Sequence, residues 1–309
     1  MDILAMPSTE QTRETIDRFL ERNHAMVVDV LPGATSSSRR LLVGRRPGGP
    51  LTHAVAVGTD GTDQPLATEE RALRAVPALP PELARTLPRV VERVRVDARH
   101  DGLVLTAVPG LSRQAPGSPE VRPGQLLVQV SDWLGLLWRG TAGPEGSAAL
   151  AVQSLPAFLE RYDDSARLRS ALVHLRAARD RLGQFEVQRT LRHGCLCLRH
   201  VRLGPERVIG VDDWSLGSPS ANPLLDLGAF AARLAGPRLP ETVAGRTSYA
   251  GNFRQFLSGG LARLGLPRSL WRDVLLLAQF ETAFAALERG EPDQIALLVA
   301  ALGAIGSRG

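Results

Sequence analysis

HGCLCLRH (residues 193–200) and, a few positions on, VIGVDDWSLGSPSANPLLDLG (208–228) are the stretches on which the reading of this chain turns. Around them the apolar residues recur at helical spacing, whereas between about 186 and 215 short strand-like pieces interrupt that pattern. Two cysteines, two histidines and an Asp-Asp-Trp run fall inside this one interruption. The residues with chemistry to offer are therefore concentrated where the helical pattern fails.

Working outward, QLLVQVSDWLGLLWRG, SARLRSALVHLRAARDRLG, YAGNFRQFLSGGLARLG, RSLWRDVLLLAQFETAFAALERG and DQIALLVAALGAIG all carry three-and-four spacing and predict helices. The Pro/Gly/Ser-rich LSRQAPGSPEVRPG before them reads as a linker. Upstream the texture is different. AMVVDVL, RRLLVGRR, THAVAVG, VVERVRVDA and GLVLTAVPG read as strands, the first three as a meander, with one helix, ATEERALRAV, inserted and expected to be capped by Thr68. This predicts an α+β chain of two lobes: a β-rich unit over 1–110 and a mainly helical one over 111–309.

Composition narrows the function. With 309 residues and 44% apolar content the chain can fill a substantial core. All 37 basic residues are arginine, and there is no lysine. The arginines are interspersed with acids rather than clustered, which argues against a nucleic-acid partner. Cys195 and Cys197, two apart, make neither a disulfide framework nor a zinc site. The first residues lack a signal pattern and no run approaches the length of a membrane span, so a cytoplasmic location with no membrane partner is expected.

The two opening stretches resemble the aminoglycoside phosphotransferase and choline kinase family, whose second lobe runs roughly HGDLxxxN, a strand, hydrophobic-Asp-Trp-Glu, then a small-residue turn ending in Pro-x-x-Asp-Leu. Here those parts read HGCLCLRH, VRL, VIGVDDWS and NPLLDLG. LPGATSSSRRLLV resembles the family's nucleotide-positioning loop, and LVLTAVPG its hinge, at about 104–110. The resemblance implies a bilobal protein-kinase-like fold with ATP and magnesium as candidate cofactors. It implies nucleotide contacts at Ser36, Ser37, Ser38, Glu69, Glu70, Thr106 and Val108, and metal contact at Asp213. His193 and Asp226 are implied to brace the catalytic loop.

The departures carry as much weight as the matches. Cys195 stands at the catalytic-base position, where a thiol of reference pKa about 8.5 is a poor proton acceptor. His200 stands where an asparagine would bind a metal, and magnesium prefers oxygen. The third strand, HAVAVGTD, has Val57 or Gly58 near the place of the phosphate-gripping lysine, which would leave Glu69 or Glu70 without its partner. An arginine from RRLLVGRR offers an electrostatic substitute, although a planar fork is not a point charge.

The expected function is a pseudokinase, a binding or regulatory module holding a small molecule or peptide between its lobes. Resemblance to components of peptide-modifying (Ser/Thr dehydration) systems implies a protein partner such as a lyase. The alternative is an atypical ATP-dependent phosphotransferase that uses Asp213 on a hydroxyl acceptor. A cationic-antibiotic phosphotransferase fits poorly, because it needs an acidic pocket and an active base.

Overall fold

The computed structural model describes residues 14–32, 38–58, 64–74, 79–97, 99–110, 122–148 and 166–288. Ser36, Ser37, most of the expected linker and the helix expected from DQIALLVAALGAIG lie outside these.

Five antiparallel strands form the N-terminal sheet: β1 (Met26–Pro32), β2 (Ser38–Gly44), β3 (Leu51–Gly58), β4 (Val90–Arg95) and β5 (Asp101–Thr106). Their spatial order is β1-β2-β3-β5-β4. The first three are the expected meander, while β5 lies beside β3 and pushes β4 to the edge. Side chains alternate between the two faces of a strand. One face, with Val43, Val55, Val57, Val94 and Val104, packs on helix α1 (Ile16–Arg22) through Ile16 and Phe19. The other carries Leu42, Ala54, Ala56, Leu103 and Leu105 and meets Leu66 of α2 (Gln64–Arg74) and Val108.

Helix α2 begins at Gln64, so Thr68 lies a full turn inside it instead of capping it. Pro65, at the second helical position, supplies the start, since its missing N–H would have had no intrahelical acceptor there.

Beyond α3 (Pro81–Ala84), the C-terminal part is mainly helical: α4 (Pro123–Gly140), α5 (Ala166–Leu182), α6 (Leu224–Ala235), α7 (Leu239–Val243), α8 (Ala250–Arg263) and α9 (Trp271–Glu288). Leu172, Leu175, Ala178 and Leu182 of α5 form a buried stripe at helical spacing, and α9 packs between α5 and α6. Trp133 of α4 is buried and donates its indole N–H to Thr86 Oγ1 at 2.9 Å, so its polar end is satisfied inside the core. Short strands interrupt the helices: β6 (Glu145–Ser147) pairs with β7 (Glu186–Gln188), β8 (Thr190–Arg192) with β11 (Ser218–Ala221), and β9 (Val201–Leu203) with β10 (Val208–Val211). These pairs carry the two opening stretches and bring them face to face. Among the described residues no helix is long and apolar enough to cross a membrane.

Candidate functional site

β8 ends at Arg192 and the chain turns sharply through His193, Gly194 and Cys195. Gly194 has φ +84°, and a Cβ there would collide with the Leu216 carbonyl oxygen, so only glycine fits the turn. Asp226, in the first turn of α6, holds the loop from below. Its carboxylate accepts the N–H of His193 at 2.6 Å and of Gly194 at 3.0 Å. The His193 ring is fully buried and accepts the Cys195 N–H on Nδ1 at 3.2 Å. Its proton therefore sits on Nε2 and is donated to the Asp212 carbonyl at 2.7 Å, which ties the loop to the Asp-Asp-Trp run. Burial lowers the His193 pKa and keeps the ring neutral for this double task.

Cys195 is 7% exposed, and burial raises its pKa against the pull of Arg233. A protonated thiol neither accepts a hydroxyl proton nor attacks. His200, at the end of a 3-10 turn (Leu198–His200), donates from Nδ1 to the Cys195 carbonyl at 3.0 Å and accepts from Arg199 Nε on Nε2 at 3.1 Å. Both ring nitrogens are engaged. Burial foremost, then His193, lowers its pKa to about 3, so the ring is neutral beside Asp213, 3.8 Å away. The sign of the resulting linkage is fixed: His200 contributes stability above its unfolded pKa near 6.5 and loses it as pH falls toward 3. The stability gap between the wild type and His200→Gln is expected to narrow by about 2 kcal/mol from pH 6.5 to pH 5 in urea titrations. A gap independent of pH would contradict a neutral imidazole.

Asp213 has φ +60°, a left-handed backbone that turns its carboxylate inward. Its Oδ1 accepts from Ser215 Oγ at 2.8 Å and lies 3.3 Å from Arg40 Nη2. Burial alone would raise its pKa, but Arg40, then His200, holds it well below the usual carboxylate range. Its neighbour Asp212 is pushed up to about 6 by burial, against an ion pair with Arg202 at 2.7 Å.

Arg40 closes the site from the other lobe. It is 4% exposed and donates to Glu69 Oε1 at 2.8 Å; Glu69, on α2, is fully buried and also accepts the Trp214 N–H at 2.9 Å. Burial opposes the charge on Arg40, yet Glu69, Asp213 and Asp212 together hold it on. One guanidinium thus joins the sheet, α2 and the Asp-Asp-Trp run.

No family model matches the sequence, and no curated protein matches it. By structure it is similar to a thermostable mutant of the aminoglycoside phosphotransferase APH(4)-Ia solved with ADP and hygromycin B. The TM-score is 0.63 at 16% identity, over 95% of this chain and 99% of that one. The chain has the aminoglycoside-phosphotransferase fold. The same fold relates it to the GDP and kanamycin complex of APH(2")-IIIa (TM-score 0.56, 14% identity, 92% of this chain and 95% of that). A choline/ethanolamine kinase family protein from Mesorhizobium loti is also similar (TM-score 0.54, 15% identity, 86% and 89%).

In this phosphotransferase fold the structure brings together His193, Cys195, His200, Asp213 and Glu69. Of the two readings of Glu69, left without a partner or met by an arginine of RRLLVGRR, it has the second, through Arg40 on β2. The third-strand position facing the site is Ala56, directly across from Arg40 in the β2–β3 register; Val57 points to the opposite face of the sheet. Glu70 turns outward, bonding Arg74 at 2.9 Å and Arg93 at 2.6 Å, and takes no part. Thr106 donates its N–H to the Arg89 carbonyl and accepts the Arg89 N–H on its hydroxyl oxygen, whereas Val108 joins Leu42 and Ala54 in an apolar wall. Ser38 opens β2.

The donors do not suit magnesium. Asp213 shares one oxygen with Arg40 and Ser215, and His200 offers nitrogen with its lone pair already taken, whereas magnesium requires a shell of oxygens. Among the described residues no group of three or more His, Cys, Asp or Glu side chains is placed to hold a metal. Arg40, Arg199, Arg202 and Ser215 were missed in the sequence as specific site residues. The one available signal was the RR pair in a lysine-free chain, followed by a helix with two glutamates.

Proposed function

We propose that the chain is a phosphotransferase-like pseudokinase, a binding or regulatory module whose cleft holds a nucleotide or a related small molecule without handing on its phosphate. The observation that carries this is the closed ion cluster of Arg40, Glu69 and Asp213 standing above a buried, protonated Cys195. The carboxylate a metal would need is already neutralised by protein, and the group that would orient an acceptor hydroxyl is a neutral thiol. Nucleotide binding draws support from the Leu42–Ala54–Val108 wall, which offers an apolar face to a base. Among the described residues the Val108 N–H makes no backbone hydrogen bond, which leaves it as a donor. No described side chain favours a peptide-modifying partner system over another ligand of the cleft.

The test is thermal melting with ADP and ATP, with and without magnesium, beside a γ-phosphate transfer assay. Stabilisation is expected to be the same with and without the metal, about 2.7 kcal/mol at a hundred times the dissociation constant, with no phosphate transferred. Magnesium-dependent transfer to any acceptor, lost in Asp213→Ala, would establish the active phosphotransferase instead. An unchanged melting temperature at millimolar nucleotide would remove nucleotide from the cleft.

A further inference from the structure

A cavity of about 270 Å³ lies where the C-terminal end of α2, the chain on either side of α3 and the start of β4 meet. Its floor is apolar, made by Leu73 of α2, Leu79, Leu87 and Val90 of β4. Leu87 is buried. The other three are half-buried: they pack on the core and leave part of their apolar surface to the cavity, where covering it would be favourable. None of these residues belongs to the Arg40, Glu69 and Asp213 cluster or to the Leu42–Ala54–Val108 wall, so a ligand here does not depend on nucleotide in the cleft.

The rim carries one sign of charge. Arg74 and Arg89 line the cavity, and no carboxylate does. Glu70, one turn before Arg74, lies off the wall and is bound by Arg74 Nε at 2.9 Å and Arg93 Nε at 2.6 Å. Glu82 of α3 is likewise outside the wall. Arg89 is the decisive residue. Its side chain is exposed and makes no ion pair among the described residues, so its charge is uncommitted. Its backbone is fixed, because the Arg89 N–H donates to Thr106 Oγ1 and the Arg89 carbonyl accepts the Thr106 N–H, each at 2.9 Å. A forked donor is thus tethered at the mouth of an apolar hole, and such a fork matches the paired oxygens of a carboxylate or phosphate.

We propose that this cavity binds a small amphipathic anion, with its apolar body on the floor of Leu73, Leu79, Leu87 and Val90 and its carboxylate or phosphate on Arg89. The volume lies just under the roughly 300 Å³ at which drug-sized pockets begin, which limits the body to about one ring.

Isothermal titration calorimetry on the full chain tests this with 3-phenylpropionate, phenyl phosphate, 3-phenylpropan-1-ol and acetate. At least one of the two aromatic anions is expected to bind. The alcohol, which has the body without the charge, and acetate, which has the charge without the body, are expected to bind at least ~10-fold more weakly. Binding of phenyl phosphate alone supports a phosphorylated ligand, and binding of phenylpropionate alone a carboxylic acid. Arg89→Gln, which leaves both backbone bonds to Thr106 in place, is expected to weaken anion binding at least ~5-fold, with partial recovery in Arg89→Lys, which keeps charge but not the fork. Ala84→Leu, which fills the cavity from α3, is expected to abolish it. Arg263→Gln, a surface arginine paired with Asp132 elsewhere, is expected to bind as the wild type does. Equal affinity for the acid and the alcohol, equal anion affinity in Arg89→Gln and wild type, or no binding of either aromatic anion at ~10 mM, well above a millimolar dissociation constant, overturns the proposal.

Discussion

Replacing Arg40 with alanine is expected to lower the unfolding free energy by about 3–5 kcal/mol, because it strands two buried carboxylates at once. Glu69 is fully buried and Asp213 is 4% exposed; both face the same guanidinium. Burial already raises the Glu69 pKa with Arg40 in place, and without the guanidinium it rises further, while Asp213, which Arg40 holds low, rises above its unfolded value. Such groups destabilise as pH rises, so the deficit of Arg40→Ala relative to wild type should shrink toward acid pH. The loss should also be non-additive. Glu69→Gln keeps an oxygen for the Trp214 N–H while removing one stranded charge, so Arg40→Ala/Glu69→Gln is expected to be more stable than the sum of the single losses implies. Urea unfolding of the four members of this cycle at two pH values measures it. Additive losses would mean that the three side chains are neighbours without being a unit.

Gly194→Ala should cost about as much, for a backbone reason. The left-handed conformation alone costs an L-residue roughly 1–2 kcal/mol. The new Cβ also meets the Leu216 carbonyl oxygen, so the loop must shift and pull the His193 and Gly194 N–H groups from Asp226, at about 1–3 kcal/mol for each buried donor left unmade. A total of about 3–8 kcal/mol is expected from denaturant melts. Gly48 is the matched control: its φ is +70°, but a Cβ there would have nothing within 4 Å, so Gly48→Ala should show the conformational cost alone. Equal losses at the two positions would mean that the loop yields freely and that Asp226 does not hold it.

Much of the architecture was legible because it is written in local periodicity. The strands of the sheet and four of the five helices expected in the C-terminal part appear where alternation and three-and-four spacing place them, within a few residues at their ends; the fifth lies outside the described residues, and α6, which carries Asp226, was not among those expected. The start of α2 was misplaced because Thr68 is an acceptable cap in any sequence, whereas Pro65 is the feature that suits a first turn. The bracing of the loop by His193 and Asp226 was expected only from the resemblance to the phosphotransferase motifs, because Asp226 comes from a segment far along the chain.

Arg40 was not legible in that way. Sequence alone determined that no lysine exists, that a cysteine follows His193 and Gly194, and that two adjacent arginines lie on a strand before a helix with two glutamates. Neighbours on a strand point to opposite faces, so one of Arg39 and Arg40 had to turn inward, but which one depends on the pairing register. Tertiary structure set Arg40 opposite Ala56, whose methyl leaves room for a long side chain, and left Arg39 exposed. It also chose Glu69 over Glu70 by the rotation of α2 against the sheet. These are contacts between segments far apart in the chain, selected by packing and by the cost of burying a charge unpaired, and no local pattern encodes them.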